Sequence, residues 1–183
     1  MAYNAGTTSF SKYVQSYLGL AGGGFASNLM VATVAATIAY IPIGAITSKV
    51  GRKKAVLGGI ALMAVSFFAA SFYKVYHPSM MAIIIAMGIG YASIIVNTLP
   101  MVVEMSKGSD IGKYTGIYYT FSMSAQIITP ILSGALLEYV GYFTLFPYAV
   151  VCLLVSFALM LGLKHGDSSE AVKKGLEAFD TED

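Results

Sequence analysis

Charge is scarce in this chain and missing from most of its length. Only 11% of its 183 residues are Asp, Glu, Lys or Arg, whereas a soluble domain carries about 25%. Residues 13–48, 55–73, 75–103, 114–137 and 139–163 contain none of the four. Cysteine is nearly absent: Cys152 stands alone, so no internal disulfide can form. Histidine is limited to His77, in a loop, and His165, near the C-terminus; with no zinc-type spacing, no metal ligand set is expected. No P-loop, GxSxG or HExxH pattern occurs, no cofactor is expected, and no loop carries a catalytic constellation. The chain reads as something other than an enzyme.

Apolar length is what the chain has in abundance. Hydrophobic residues make up 57% of it and mean hydropathy is +0.73. A helix crosses the hydrocarbon core with roughly 20 mostly apolar residues, and a central charge costs a few kcal/mol. Each uncharged stretch meets that condition, which predicts a polytopic all-α membrane protein in contact with the lipid bilayer. The expected spans are 27–47, 55–73, 80–103, 114–137 and 143–163, within a membrane region of 22–163. The Gly22-Gly23-Gly24 run reads as a bend before the first span. Residues 164–183 form a charged cytoplasmic tail, either with a helical turn or two over 169–179 or disordered.

The cations alternate between sides. Lys49, Arg52, Lys53 and Lys54 fall in one loop, Lys107 and Lys113 in the next but one, and Lys164, Lys173 and Lys174 in the tail, leaving Lys12 and Lys74 opposite. The positive-inside rule then puts the N-terminus outside and the C-terminus in the cytoplasm of an inner or plasma membrane. Cations divided among short loops between apolar spans also exclude a nucleic-acid surface. Residues 1–11 lack the basic start of a cleavable leader.

Residues 1–21 are amphipathic. Tyr3, Asn4, Thr7, Thr8, Ser11 and Gln15 recur at helical spacing against Phe10, Val14, Tyr17 and Leu18. Too short and polar to span alone, the segment reads as the outer end of an incomplete transmembrane helix whose polar face lines something wet.

Between the first two spans the chain runs Gly44-Ala45-Ile46-Thr47-Ser48-Lys49-Val50-Gly51-Arg52-Lys53-Lys54. This resembles the signature loop of the major facilitator superfamily, G-x-L-A-D-R-x-G-R-K. In that loop Gly44 would let helix ends approach, Gly51 would permit a tight reversal, and Arg52 and Lys53 would reach helix-end carbonyls or a carboxylate. Ser48 replaces the family's acid and Lys49 its arginine, a departure typical of the second-half copy. Gly112 to Tyr119, followed by Ser122, Ala125 and Pro130, is similar to the eleventh helix of bacterial sugar-transporter-like members, and the opening Tyr3-Asn4-Ala5 to the seventh. Independently of family, Gly134 to Gly141 repeats the G-A-[IL]-x-x-x-V-G pattern of Gly44 to Gly51 ninety positions later, on the opposite side of the membrane.

The resemblance implies a C-terminal six-helix bundle with its first helix incomplete, built from inverted three-helix repeats. It implies secondary active transport of a small polar solute, a sugar in the branch named, by alternating access. The partners it implies are that solute and a missing N-terminal half or a second chain. Asn4, Thr7, Thr8, Asn97, Tyr118, Tyr119, Ser122 and Gln126 are the candidate solute-binding residues, because polar groups inside spans need hydrogen-bonding partners. Gly44, Ser48, Lys49, Gly51, Arg52 and Lys53 form the candidate conformational-gate loop. No carboxylate lies mid-span, so a proton-coupling residue would have to lie elsewhere. The alternative is a truncated, non-transporting membrane protein or assembly subunit that retains the half-fold.

Overall fold

The computed structural model describes residues 1–19, 23–104, 106 and 110–163. The expected tail, 164–183, lies outside the described residues, as do Gly22 and Lys107. Six α-helices, with no strand among the described residues, build the fold: α1 (Ala2–Ser16), α2 (Gly24–Val50), α3 (Arg52–Ala70), α4 (Met80–Glu104), α5 (Ile111–Tyr139) and α6 (Leu145–Gly162). A 3-10 turn, Tyr142–Thr144, leads into α6. The helices from α2 onward are five elements long and apolar enough to cross a membrane.

Two glycines set the reversals. Gly51 closes α2 and opens α3 at φ 95°, ψ 146°, and Gly141 turns α5 towards α6 at φ 132°, ψ 157°. Both occupy a region that side chains disfavour. Because Gly51 starts α3 at once, Arg52, Lys53 and Lys54 form its first turn, and α3 ends at Ala70 rather than at Tyr73. These glycines close the two copies of the ninety-residue repeat. At that offset α2 falls on 114–140 and α3 on 142–160, matching α5 and the helix that follows it.

Packing obeys the same exchange. The helix α4 packs on α2 and α3, and α1 correspondingly on α5 and α6; α3 packs on α6; the pairs α1–α2 and α4–α5, and α2–α3 and α5–α6, also match. Three helices separate the copies, so one repeat is inverted relative to the other.

Helix α4 crosses its neighbours backbone to backbone. A Cβ on Gly88 would lie 2.4 Å from the Ala32 carbonyl oxygen, and one on Gly90 2.8 Å from that of Gly59. Small residues allow such approach where lipid supplies no hydrophobic drive. Gly58 and Gly134, by contrast, face open space. Polar pairs tie further crossings: Ser93 donates to the Ala55 carbonyl (2.8 Å), and Ser9 shares a hydrogen bond with Ser133 (3.1 Å). Pro42, Pro100 and Pro130 lie inside helices. Pro147 sits in the first turn of α6, where its missing N–H costs nothing and no kink follows.

Candidate functional site

The end of the bundle where α2 meets α3 holds the basic loop. Arg52 pairs with Glu104 of α4 at 2.5 Å, and Lys53 donates to the Leu161 and Leu163 carbonyls at the end of α6. The start of α3 is thereby tied to the ends of α4 and α6. The Lys53 contact is the favourable one for a cation at a helix C-terminus. Ser48 donates to the Ala45 carbonyl within its own helix (2.8 Å), and Lys49 is exposed. A Cβ on Gly44 would meet nothing within 4 Å, so among the described residues no helix packs on the side of α2 that Gly44 presents, although the adjacent Ile43 packs with Ala92 of α4. Gly51 makes the reversal. Both partners of the Arg52–Glu104 pair are about one-third exposed, so Glu104→Gln is expected to cost at most about 1 kcal/mol. Unfolding in detergent checks this, and 1 M salt should erase the difference.

Towards mid-bundle, tyrosines from four helices converge. Tyr3 of α1 stacks on Tyr91 of α4, with ring centroids 3.6 Å apart and planes 8° from parallel. The Tyr40 phenol of α2 lies within electrostatic range of both, and Tyr118 of α5 within range of Tyr91. The Tyr118 hydroxyl hydrogen-bonds with that of Thr98 at 3.2 Å, and Tyr119 stands edge-on to Tyr118. Such rings offer an apolar face and a hydroxyl in one side chain.

The remaining sequence candidates divide. Asn4 has a buried amide oxygen without a partner, while Thr7 and Thr8 bond back to the carbonyls of their own helix. Thr7 borders a cavity of only about 30 Å³, the size of a single water; Thr8 is exposed. Asn97 is turned inward, 1% exposed, its amide donating to the Ser93 carbonyl. Ser122 is half-buried and accepts a long bond, 3.5 Å, from the exposed Gln126. Tyr118 thus joins the tyrosine cluster and Asn97 does not.

Sequence reasoning passed over a stripe on α2. Thr33, Thr37, Tyr40, Gly44 and Ser48 are all exposed along one side, about 100° round the helix from the buried row Asn28, Ala32, Ala36, Ala39, Ile43 and Thr47, while Val34, Ile38 and Ile41 are exposed on the face opposite that row. The signal was present as polar residues at three- and four-residue spacing within an apolar span. The exposed positions of α3 beyond its basic first turn, Gly58, Ala61, Leu62, Val65 and Phe68, are wholly apolar. Polar surface therefore gathers on α1, α2 and α5. On α1, Thr8→Cys in a Cys152→Ser background is expected to react with a water-soluble maleimide, whereas Phe10→Cys and Val14→Cys, which replace buried side chains, should resist it; labelling in proteoliposomes checks the contrast.

Two interlocked, mutually inverted three-helix units with five membrane-crossing helices define an integral membrane protein. The chain belongs to the Major Facilitator Superfamily, whose family model matches residues 1–179. Members of that family are transporters of small solutes rather than enzymes. No curated protein and no solved structure matches the chain.

Proposed function

We propose that this chain is the C-terminal half of a secondary transporter that moves a small, polar, uncharged solute, sugars being the class its tyrosines suit best. The observation that carries this reading is the gathering of Tyr3, Tyr40 and Tyr91, with Thr33, Thr37, Asn4 and Thr8, on α1, α2 and α4, while α3 turns an apolar face outward. Aromatic faces stack on sugar rings, and hydroxyl and amide groups exchange hydrogen bonds with them. No Asp, Glu, Lys or Arg lies mid-span to balance a charged solute. The basic end faces the cytoplasm, where the Arg52–Glu104 pair and the Lys53 cap hold α3, α4 and α6 together as one body during alternating access. A second half, of the same polypeptide or another chain, covers the polar side and completes the cavity.

Thermal stabilisation of purified protein by a panel of hexoses, polyols, carboxylates and amines tests the solute class. Stabilisation by the hydroxylated neutral members, lost in Tyr91→Ala, is expected, since a ligand at 100 times its Kd adds about 2.7 kcal/mol. Stabilisation by the charged members alone would contradict the reading. Uptake by a monomer of this chain is expected to be nil, because one cavity wall is lacking; saturable uptake by that monomer would also contradict it.

A further inference from the structure

Acid is almost absent from the helices. Of the nine Asp and Glu residues in the chain, six lie in 164–183, and the other three are Glu104, Asp110 and Glu138. The six are not mixed evenly with the cations of that segment. Lys164, Lys173 and Lys174 all precede Glu177, whereas Glu177, Asp180, Glu182 and Asp183 share seven residues with no cation among them.

The basic end has the opposite composition. Residues 44–54 hold four cations and no acid. Two of the four are engaged within the bundle, Arg52 with Glu104 and Lys53 with the end of α6. Lys49 and Lys54 are exposed, and neither makes a hydrogen bond or ion pair among the described residues. Asp110, at the start of α5, is the other described acid at that end, and it pairs with neither lysine.

Topology brings the two compositions together. Lys53 donates to the Leu163 carbonyl, so residue 164 leaves the bundle beside the first turn of α3, on the side of the membrane where Lys49 and Lys54 lie. Glu177 follows Leu163 by fourteen residues, a reach of at most about 50 Å. A short tether holds its charges at an effective concentration of the order of millimolar. One exposed ion pair is worth little, but four tethered acids act together on two unpaired lysines. The bilayer is the poorer partner for those acids, because anionic lipid repels them and hydrocarbon excludes them.

We infer that residues 177–183 dock on Lys49 and Lys54 and supply the counter-charge that the α2–α3 reversal lacks. The docked segment links the end of α6 to α2, which the Arg52 and Lys53 ties do not reach. It also withholds both lysines from anionic lipid headgroups.

The intact chain, one copy per phosphatidylcholine nanodisc, supplies the test. A carbodiimide joins carboxylate to amine with no spacer. At about 50 mM salt it is expected to link Lys49 or Lys54 to a carboxylate of 177–183, read by mass spectrometry after digestion. The yield should fall at least fivefold at about 1 M salt, where the screening length is about 3 Å. Independently, a full-length Glu177→Gln/Asp180→Asn/Glu182→Gln/Asp183→Asn variant should be acetylated by an N-hydroxysuccinimide ester at least threefold faster at Lys49 and Lys54. Lys12 and Lys74, exposed at the other end, should react as in the parent. Equal acetylation of parent and variant would overturn the inference, as would cross-links from 177–183 to Lys164, Lys173 and Lys174 alone. Protection of Lys49 and Lys54 that requires phosphatidylglycerol in the disc and persists in the variant would assign them to lipid and overturn it too. Cross-links that form only in discs holding two chains would make the partner a second copy, again overturning it. No readout involves a solute, so failure here is separable from failure of the transport reading.

Discussion

Gly88→Ala should be strongly destabilising, although it adds a single methyl group. The new Cβ would sit 2.4 Å from the Ala32 carbonyl oxygen, which belongs to backbone and cannot rotate aside. Helix α4 would have to withdraw from α2 along the crossing that buries Asn28, Ala32 and Ala36. Overpacking typically costs about 1–3 kcal/mol and more where backbone is the obstacle; about 3 kcal/mol is expected here, a large share of a stability of about 5–15 kcal/mol. Gly58→Ala is the matched control. It lies in a helix with open space around it, so it should be neutral or stabilising by up to about 1 kcal/mol. Unfolding midpoints of the purified variants in detergent measure the difference, and similar midpoints would mean that the α2–α4 crossing is looser than described.

Phe146→Ala carries the second large effect, and it acts through α1. Phe146 is buried with its ring 4.5 Å from Tyr13 and 5.8 Å from Phe67, so α1, α3 and α6 meet on it. Truncating a buried aromatic costs about 3–5 kcal/mol in a packed core; the lower figure is expected within lipid, where packing rather than water expulsion drives association. With 15 residues, α1 is the shortest α-helix among the described residues, and the loss should fall chiefly on its docking. Val14→Cys, protected in the parent, should become reactive in the Phe146→Ala background, and hexose stabilisation should vanish because Tyr3 no longer meets Tyr91. Retained protection at Val14→Cys would show that α1 is held by other contacts.

Much of this architecture was legible in the residues. Uncharged length located the helices, because a charge in hydrocarbon is too costly to hide, and the two V-G pairs marked both reversals because their glycines adopt positive φ. The repeat was visible in eight residues per copy, and the packing extends it to whole helices. The pairing of Arg52 was expected in kind but not in partner: Glu104 lies 52 positions away, and only the α3–α4 crossing brings the two together.

The site was less legible. Asn97 is as polar on paper as Asn4, yet its helix turns it inward to Ser93. Tyrosine reads equally as interface belt or as mid-membrane ring, so Tyr3, Tyr40 and Tyr91 became one cluster only once three helices brought them together. Thr33 and Thr37 satisfy their own hydroxyls on the preceding turn. That makes them inconspicuous as hydrogen-bonding groups, although their spacing places them on one exposed side.

Reactivity towards a water-soluble maleimide on α2 and α3, compared in proteoliposomes, tests most directly whether the polar side of the bundle faces water. Thr37→Cys, at the middle of α2, and Val65→Cys, in the second half of α3, both replace exposed residues, each in a Cys152→Ser background. Thr37→Cys is expected to react at least tenfold faster, since the proposed transport reading turns its side to a wet cavity and that of Val65 to lipid. Equal reactivity, or faster reaction at Val65→Cys, would contradict the assignment of the α2 stripe to the solute path.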